Sequence, residues 1–78
     1  MEGIWIHQVD WRDAPEVEFR KDGTLRDRRG AQGQWECRGH NLHLRWSSGQ
    51  TEKCFLHPDG DSYVGRDDQD ADVRGIRI

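Results

Sequence analysis

The chain has 78 residues, the size of one domain, with 12 Lys and Arg against 15 Asp and Glu and a net charge of −3. That acidic balance argues against a polyanion as the default partner, and no apolar run of about 18 residues is available to cross a membrane as a helix. Leu, Ile, Val and Phe together number only 14, so four Trp must supply much of the core.

Taken in chain order, the pattern is one of short strands and tight turns. Met1–His7 has no basic stretch leading into a long apolar one, so a chain without a signal peptide and a cytoplasmic location are expected. Segment 3–9 reads as a first strand. In segment 10–15, Asp10 can cap a single helical turn that Pro15 ends. Segment 16–21 alternates, with Val17 and Phe19 set between Glu16, Glu18 and Arg20. Asp22-Gly23 then marks a hairpin, because Gly accepts the positive φ that such turns require.

Further strands are expected at 24–28, 33–38, 41–46, 51–57, 61–66 and 72–78. Leu42, Leu44 and Trp46 alternate with Asn41, His43 and Arg45, the mark of a half-buried strand. Turns fall at Gly39-His40, Ser48-Gly49, Asp59-Gly60 and the Asp67–Asp70 stretch. Phe19-Arg20-Lys21-Asp22-Gly23 and Leu56-His57-Pro58-Asp59-Gly60 repeat the same hairpin chemistry.

Seven or eight strands with such short connections should each pair with a sequence neighbour. Left open, that meander would expose two edges; pairing segment 3–9 with segment 72–78 removes both. The expected fold is therefore all-β, a single domain over 1–78. It is a small antiparallel meander of seven or eight strands closed into a barrel, with at most one helical turn near 10–15. An eight-strand barrel has an interior just wide enough for side chains to fill.

Gly3-Ile4-Trp5 on the first strand and Arg74 or Arg77 on the last carry a resemblance. Gly-x-Trp with an Arg covering the indole is similar to the signature of the calycin group, the lipocalin and avidin-type barrels. The chain also resembles small bacterial proteins of unknown function with a minimal lipocalin-like fold. The resemblance implies that Gly3, Trp5, Arg74 and Arg77 close the barrel. A second Gly-x-Trp, Gly33-Gln34-Trp35, lies further on. Lipocalins are about twice this length, and their ligands enter between long loops. Here the loops are short, so the fold is expected to carry over without a deep cavity.

Charge is uneven along the chain. Residues 20–29 hold five basic side chains against two acidic, and residues 59–72 hold six Asp against Arg66. A solvated surface is the simplest reading of both. Arg26, Arg28, Arg29, Arg38 and Arg45, with Trp11 or Trp46 as a stacking platform, form the alternative: a barrel that binds single-stranded nucleic acid.

Cys37-Arg38-Gly39-His40 and Cys54-Phe55-Leu56-His57 are the weak metal candidates, since two Cys and two His suit tetrahedral Zn. Along a strand, however, Cys54 and His57 point to opposite faces. A Cys37–Cys54 disulfide is not expected either, because strand 41–46 would separate the two thiols by two strand spacings, about 9.6 Å. Asp68, Asp70 and Asp72 begin like a calcium loop, but Val73 stands where such a loop needs Gly. No catalytic motif is present, carboxylates fall on outward positions of the alternation, and the histidines at 7, 40, 43 and 57 read as surface residues.

The expected function is therefore a non-enzymatic binding or protein-interaction module without a cofactor. Its partner would be a protein or a small apolar ligand, with Trp11, Trp35, Trp46 and Tyr63 as candidate contacts.

Overall fold

The computed structural model describes residues 1–10 and 15–78. Eight antiparallel strands run in sequence order around a closed barrel. They are β1 (Gly3–Val9), β2 (Glu16–Phe19), β3 (Thr24–Asp27), β4 (Gln32–Arg38), β5 (Asn41–Trp46), β6 (Thr51–Leu56), β7 (Ser62–Asp67) and β8 (Asp72–Arg77). β1 pairs with β8 from Trp5↔Arg77 to Val9↔Val73, which closes the sheet on itself. Among the described residues there is no helix. The expected turn at 10–15 falls largely outside them; Asp10 itself has a left-handed φ of 52°.

Several strands end sooner than the alternation suggested, and turn hydrogen bonds explain why. β2 stops at Phe19 because Gly23 N–H bonds Arg20 O at 3.1 Å and Arg20 N–H bonds Thr24 O at 2.9 Å. β3 stops at Asp27, whose Oδ1 accepts the N–H groups of Arg29 and Ala31. β6 stops at Leu56, since His57 is already in the turn and accepts at its C=O from Gly60. A side-chain acceptor placed just after a strand competes with the ladder and wins where the chain must reverse.

Inward positions hold the core: Trp5, Val17, Phe19, Leu25, Leu42, Leu44, Cys54, Tyr63 and Val73. Its centre is aromatic. Trp5 lies 5.3 Å from Tyr63 and 6.0 Å from Phe19 between ring centroids, and Phe19 lies 6.1 Å from Tyr63. Such tilted and edge-on contacts add about 0.5–1.5 kcal/mol per pair beyond the area buried. Three rings thus do the work for which the sequence lacks aliphatic side chains.

One end of the barrel is plugged. The Arg77 guanidinium sits over the Trp5 ring, 4.6 Å from its centroid, and donates from Nη1 to Glu2 O and from Nη2 to Gly60 O. Gly3 has a φ of +131°, and a Cβ there would stand 3.0 Å from Arg77 Nη1. Glycine is therefore required twice over, for the backbone angle and for the guanidinium. Arg74 faces outward on β8, opposite Gln8 and Val64 in register.

Gly75 plays a different part. It stands on β8 between His7 of β1 and Tyr63 of β7 in register. A Cβ at Gly75 would come within 2.1 Å of Tyr63 Cζ. The missing side chain is the space that the phenol ring fills. Gly75→Ala is expected to lower the unfolding free energy by about 1–3 kcal/mol through overpacking. Urea denaturation checks this, and combining it with Tyr63→Ala should cost less than the two changes summed. Full additivity would separate Gly75 from the ring.

Candidate functional site

Asp10, Pro15 and the connections at residues 28–31, 47–50 and 68–71 gather at the end of the barrel opposite the Trp5–Arg77 plug. A recess of about 370 Å³ opens there, bordered by Val9, Val17 and Trp46 and reaching His7, Gln50 and Glu52. A second recess, about 410 Å³, is lined partly by outward side chains of β4, β5 and β6, including Glu36, Arg45 and Lys53. Glu52 borders both, but only the first also reaches His7 and Gln50.

That network is built by strand phase. β1 turns Trp5 and His7 inward, and β6 turns Glu52 and Cys54 inward, so a histidine and a carboxyl group enter the interior with the core residues. His7 is 4% exposed and Glu52 is 1% exposed. This corrects two expectations, that the histidine would lie on the surface and that carboxylates would all face out. Both residues share the parity of an apolar neighbour two positions away, Trp5 in one case and Cys54 in the other. That parity was the available signal.

The contacts are specific. Tyr63 Oη and His7 Nδ1 are 2.5 Å apart across the gap left by Gly75. Trp46 Nε1–H donates to Glu52 Oε1 at 3.0 Å, and Gln50 Nε2–H donates to Glu52 Oε2 at 3.1 Å. His7 Nε2 also lies 3.0 Å from Glu52 Oε1. The approach is off the line of a hydrogen bond, however, and Nε2 is left as a buried polar atom without an aligned partner. The contact is thus electrostatic rather than a formed hydrogen bond.

Burial pushes the Tyr63 hydroxyl well above its ordinary value, and the nearby Cys54 and Glu52 add to the effect. The phenol therefore keeps its proton and can donate it to Nδ1. With the phenol as donor, the tautomer that completes the bond carries its one N–H on Nε2, beside the carboxyl group of Glu52. Burial likewise pushes the Cys54 thiol up to about 12, with Glu52 the smaller cause. A thiol so held is a poor nucleophile.

The other candidate residues are dispersed. Trp35 packs edge-on against Phe19 and donates from Nε1 to Arg20 O at 2.9 Å, at the plugged end. Tyr63 is 1% exposed in the core, and Trp46 borders the open recess. Trp11 lies outside the described residues. Cys37 Sγ donates to Gly39 O, His40 Nδ1 is bonded to Leu56 O, and His57 pairs with Asp59 at 3.1 Å. Cys37 and Cys54 are free thiols flanking Leu42 in register. Among the described residues no group of three His, Cys, Asp or Glu is placed to hold a metal ion. Asp70 pairs with Arg66 at 3.0 Å.

On the outer wall, basic side chains alternate with acidic ones. Arg26 stands opposite Glu18 in register, Arg20 pairs with Glu18 at 3.0 Å, and Arg38 pairs with Glu36. Apolar side chains instead collect on the outer face of β6, β7, β8 and β1. Phe55 stands opposite Val64, and Ile76 opposite Ile6, with Phe55, Val64 and Ile76 each half exposed or more.

The raised Cys54 value has a stability consequence with a definite sign. Above the ordinary thiol value of 9.0 the unfolded chain loses this proton, whereas the folded chain keeps it to about 12. Unfolding then releases a proton, so stability falls as pH rises through that window, by up to about 1.4 kcal/mol per pH unit. Tyr63 contributes in the same direction at higher pH. Urea melts across this range should show the decline, and Cys54→Ala should delay its onset to the tyrosine range. A level profile would remove the buried-thiol account.

Comparison with protein-family models, curated proteins and solved structures returned no match to this chain.

Proposed function

We propose that this chain is a small non-enzymatic binding module of calycin type that takes a small, largely apolar ligand at the open end of its barrel. The observation that carries the reading is the recess of about 370 Å³, with Val9, Val17 and Trp46 on its walls and polar groups at its base. Apolar walls with a few convergent polar groups are the common form of a small-molecule site. The Arg77 guanidinium over Trp5, with Gly3 at positive φ, supports the calycin part of the reading.

A binder is favoured over a catalyst because the reactive groups at the base are engaged or suppressed. Glu52 accepts two hydrogen bonds, Tyr63 and His7 are joined, and the Cys54 thiol is held protonated. Two free cysteines support a reducing compartment for the chain. Nucleic acid is the weaker alternative, since the outer Arg side chains are interleaved with carboxylates.

Toluene, titrated by NMR, should shift the amides of Val9, Val17, Trp46 and Gln50 at low and high salt alike. Shifts confined to the outer wall, or competition by an oligothymidine that fades steeply with salt, would favour the alternative instead.

The outward Phe55, Val64 and Ile76 support a second reading, association with another copy of the chain. Sedimentation checks it: a dimer converted to monomer by Val64→Lys supports this reading, and a wild-type monomer at high concentration removes it.

A further inference from the structure

Directly beneath the open recess lies an unusual pair of buried atoms. His7 Nε2 is buried and has no aligned hydrogen-bond partner. Glu52 Oε1 lies 3.0 Å away and already accepts from Trp46. The opposite carboxyl oxygen, Oε2, accepts from Gln50. A donor and an acceptor therefore stand side by side at the base, with the donor unused. A buried polar group left unpaired is costly, so a bound molecule that pairs it gains more than an ordinary contact would give.

We propose that these two residues form a subsite for an uncharged, planar small molecule with an adjacent hydrogen-bond acceptor and donor, the edge of a cyclic amide. The ligand's carbonyl accepts from His7 Nε2–H, and its ring N–H donates to Glu52. This assignment rests on the open recess being the binding site, as argued above.

Three features favour that class. With Tyr63 as the donor to Nδ1, the His7 N–H lies on Nε2, 3.0 Å from a Glu52 carboxyl oxygen, so the site offers a donor there. His7 and Trp46, whose rings lie 5.9 Å apart, give the recess flat aromatic borders suited to a ring. Charge selects against anions: the recess is lined by the carboxyl groups of Asp27 and Glu52 against the single guanidinium of Arg29. A cation would meet the acidic rim favourably but leave the His7 donor unpaired. A neutral amide edge satisfies both atoms at once.

The test uses the wild-type chain and three neutral probes of similar size: 2-pyridone, N-methyl-2-pyridone and toluene. N-methylation removes the donor while keeping the carbonyl and the ring; toluene has neither polar group. NMR titration reads affinity and location, and the His7 side-chain nitrogen signals report Nε2–H directly. The expected result is that 2-pyridone binds about tenfold or more tighter than either analogue, consistent with the loss of one or two buried hydrogen bonds. It should also shift the Nε2–H signal. Benzoate, an anion, should bind at the recess more weakly than 2-pyridone. If the three neutral probes bind the recess equally, or 2-pyridone leaves the His7 signals unmoved, the subsite assignment is overturned while the recess remains a binding site. If none of them reaches the recess, both readings fall together.

Discussion

The five residue pairs that join β1 to β8 convert eight short strands into a sheet closed on itself. Strands of four to seven residues make few contacts each, and an open meander of them would present two unpaired edges to solvent. Closure also fixes phase. Once Trp5 faces Arg77 across the seam, β1 has no freedom to slip, because a shift of one residue would send every inward side chain out. Trp5, His7, Val73 and Gly75 are thus oriented by a single register. The Arg77 guanidinium locks it from outside the ring, tied at the same time to Glu2 O and Gly60 O.

The same register brings polar groups into a core that is poor in aliphatic residues. A buried carboxyl group or imidazole without partners costs several kcal/mol in solvation. Here Glu52 receives Trp46 and Gln50, and His7 Nδ1 is paired with Tyr63 Oη. The network is therefore close to neutral in stability rather than a source of it. It does impose geometry: Trp46 is tied by its indole N–H to Glu52, so the aromatic border of the recess is held by the polar base beneath it. The incomplete member of the network is His7 Nε2.

Much of the barrel was legible because two local signals agreed. Alternation placed the strands, and Asp-Gly and similar turn residues placed their ends to within one or two positions. Closure followed from the matched terminal segments. The base of the recess was harder to read. His and Glu default to the surface, and in Thr51-Glu52-Lys53-Cys54 the parity shared with Cys54 is the one hint of an inward phase, which the pairing of Cys54 with Leu42 makes definite. Nor does the sequence reveal that Gly75 is a space reserved for another strand's phenol ring. That depends on β7 and β1 flanking β8, a property of the closed sheet. Of the aromatic candidates, Trp46 alone among the described residues borders the recess, because Trp35 belongs to the plugged end.

The turns show how one arrangement was made to differ from itself. Asp27 and Asp67 each accept, through Oδ1, the N–H groups two and four residues on, and each turn has a left-handed residue at its fourth position, Gly30 or Asp70. Asp22 and Asp59 repeat a second turn in the same way, each accepting an N–H two residues ahead. These matched turns lie four strands apart, so they face each other across an eight-strand barrel. Counted from the matched Ala31 and Ala71, the inward positions of β4 are Gly33, Trp35 and Cys37, and those of β8 are Val73, Gly75 and Arg77. Where one strand carries Trp35, its counterpart carries Gly75. The indole fills its side of the barrel near the plug. The glycine empties the other side, and Tyr63 crosses that space to reach His7. The polar base therefore arises at the position where two otherwise similar strands depart most in side-chain volume.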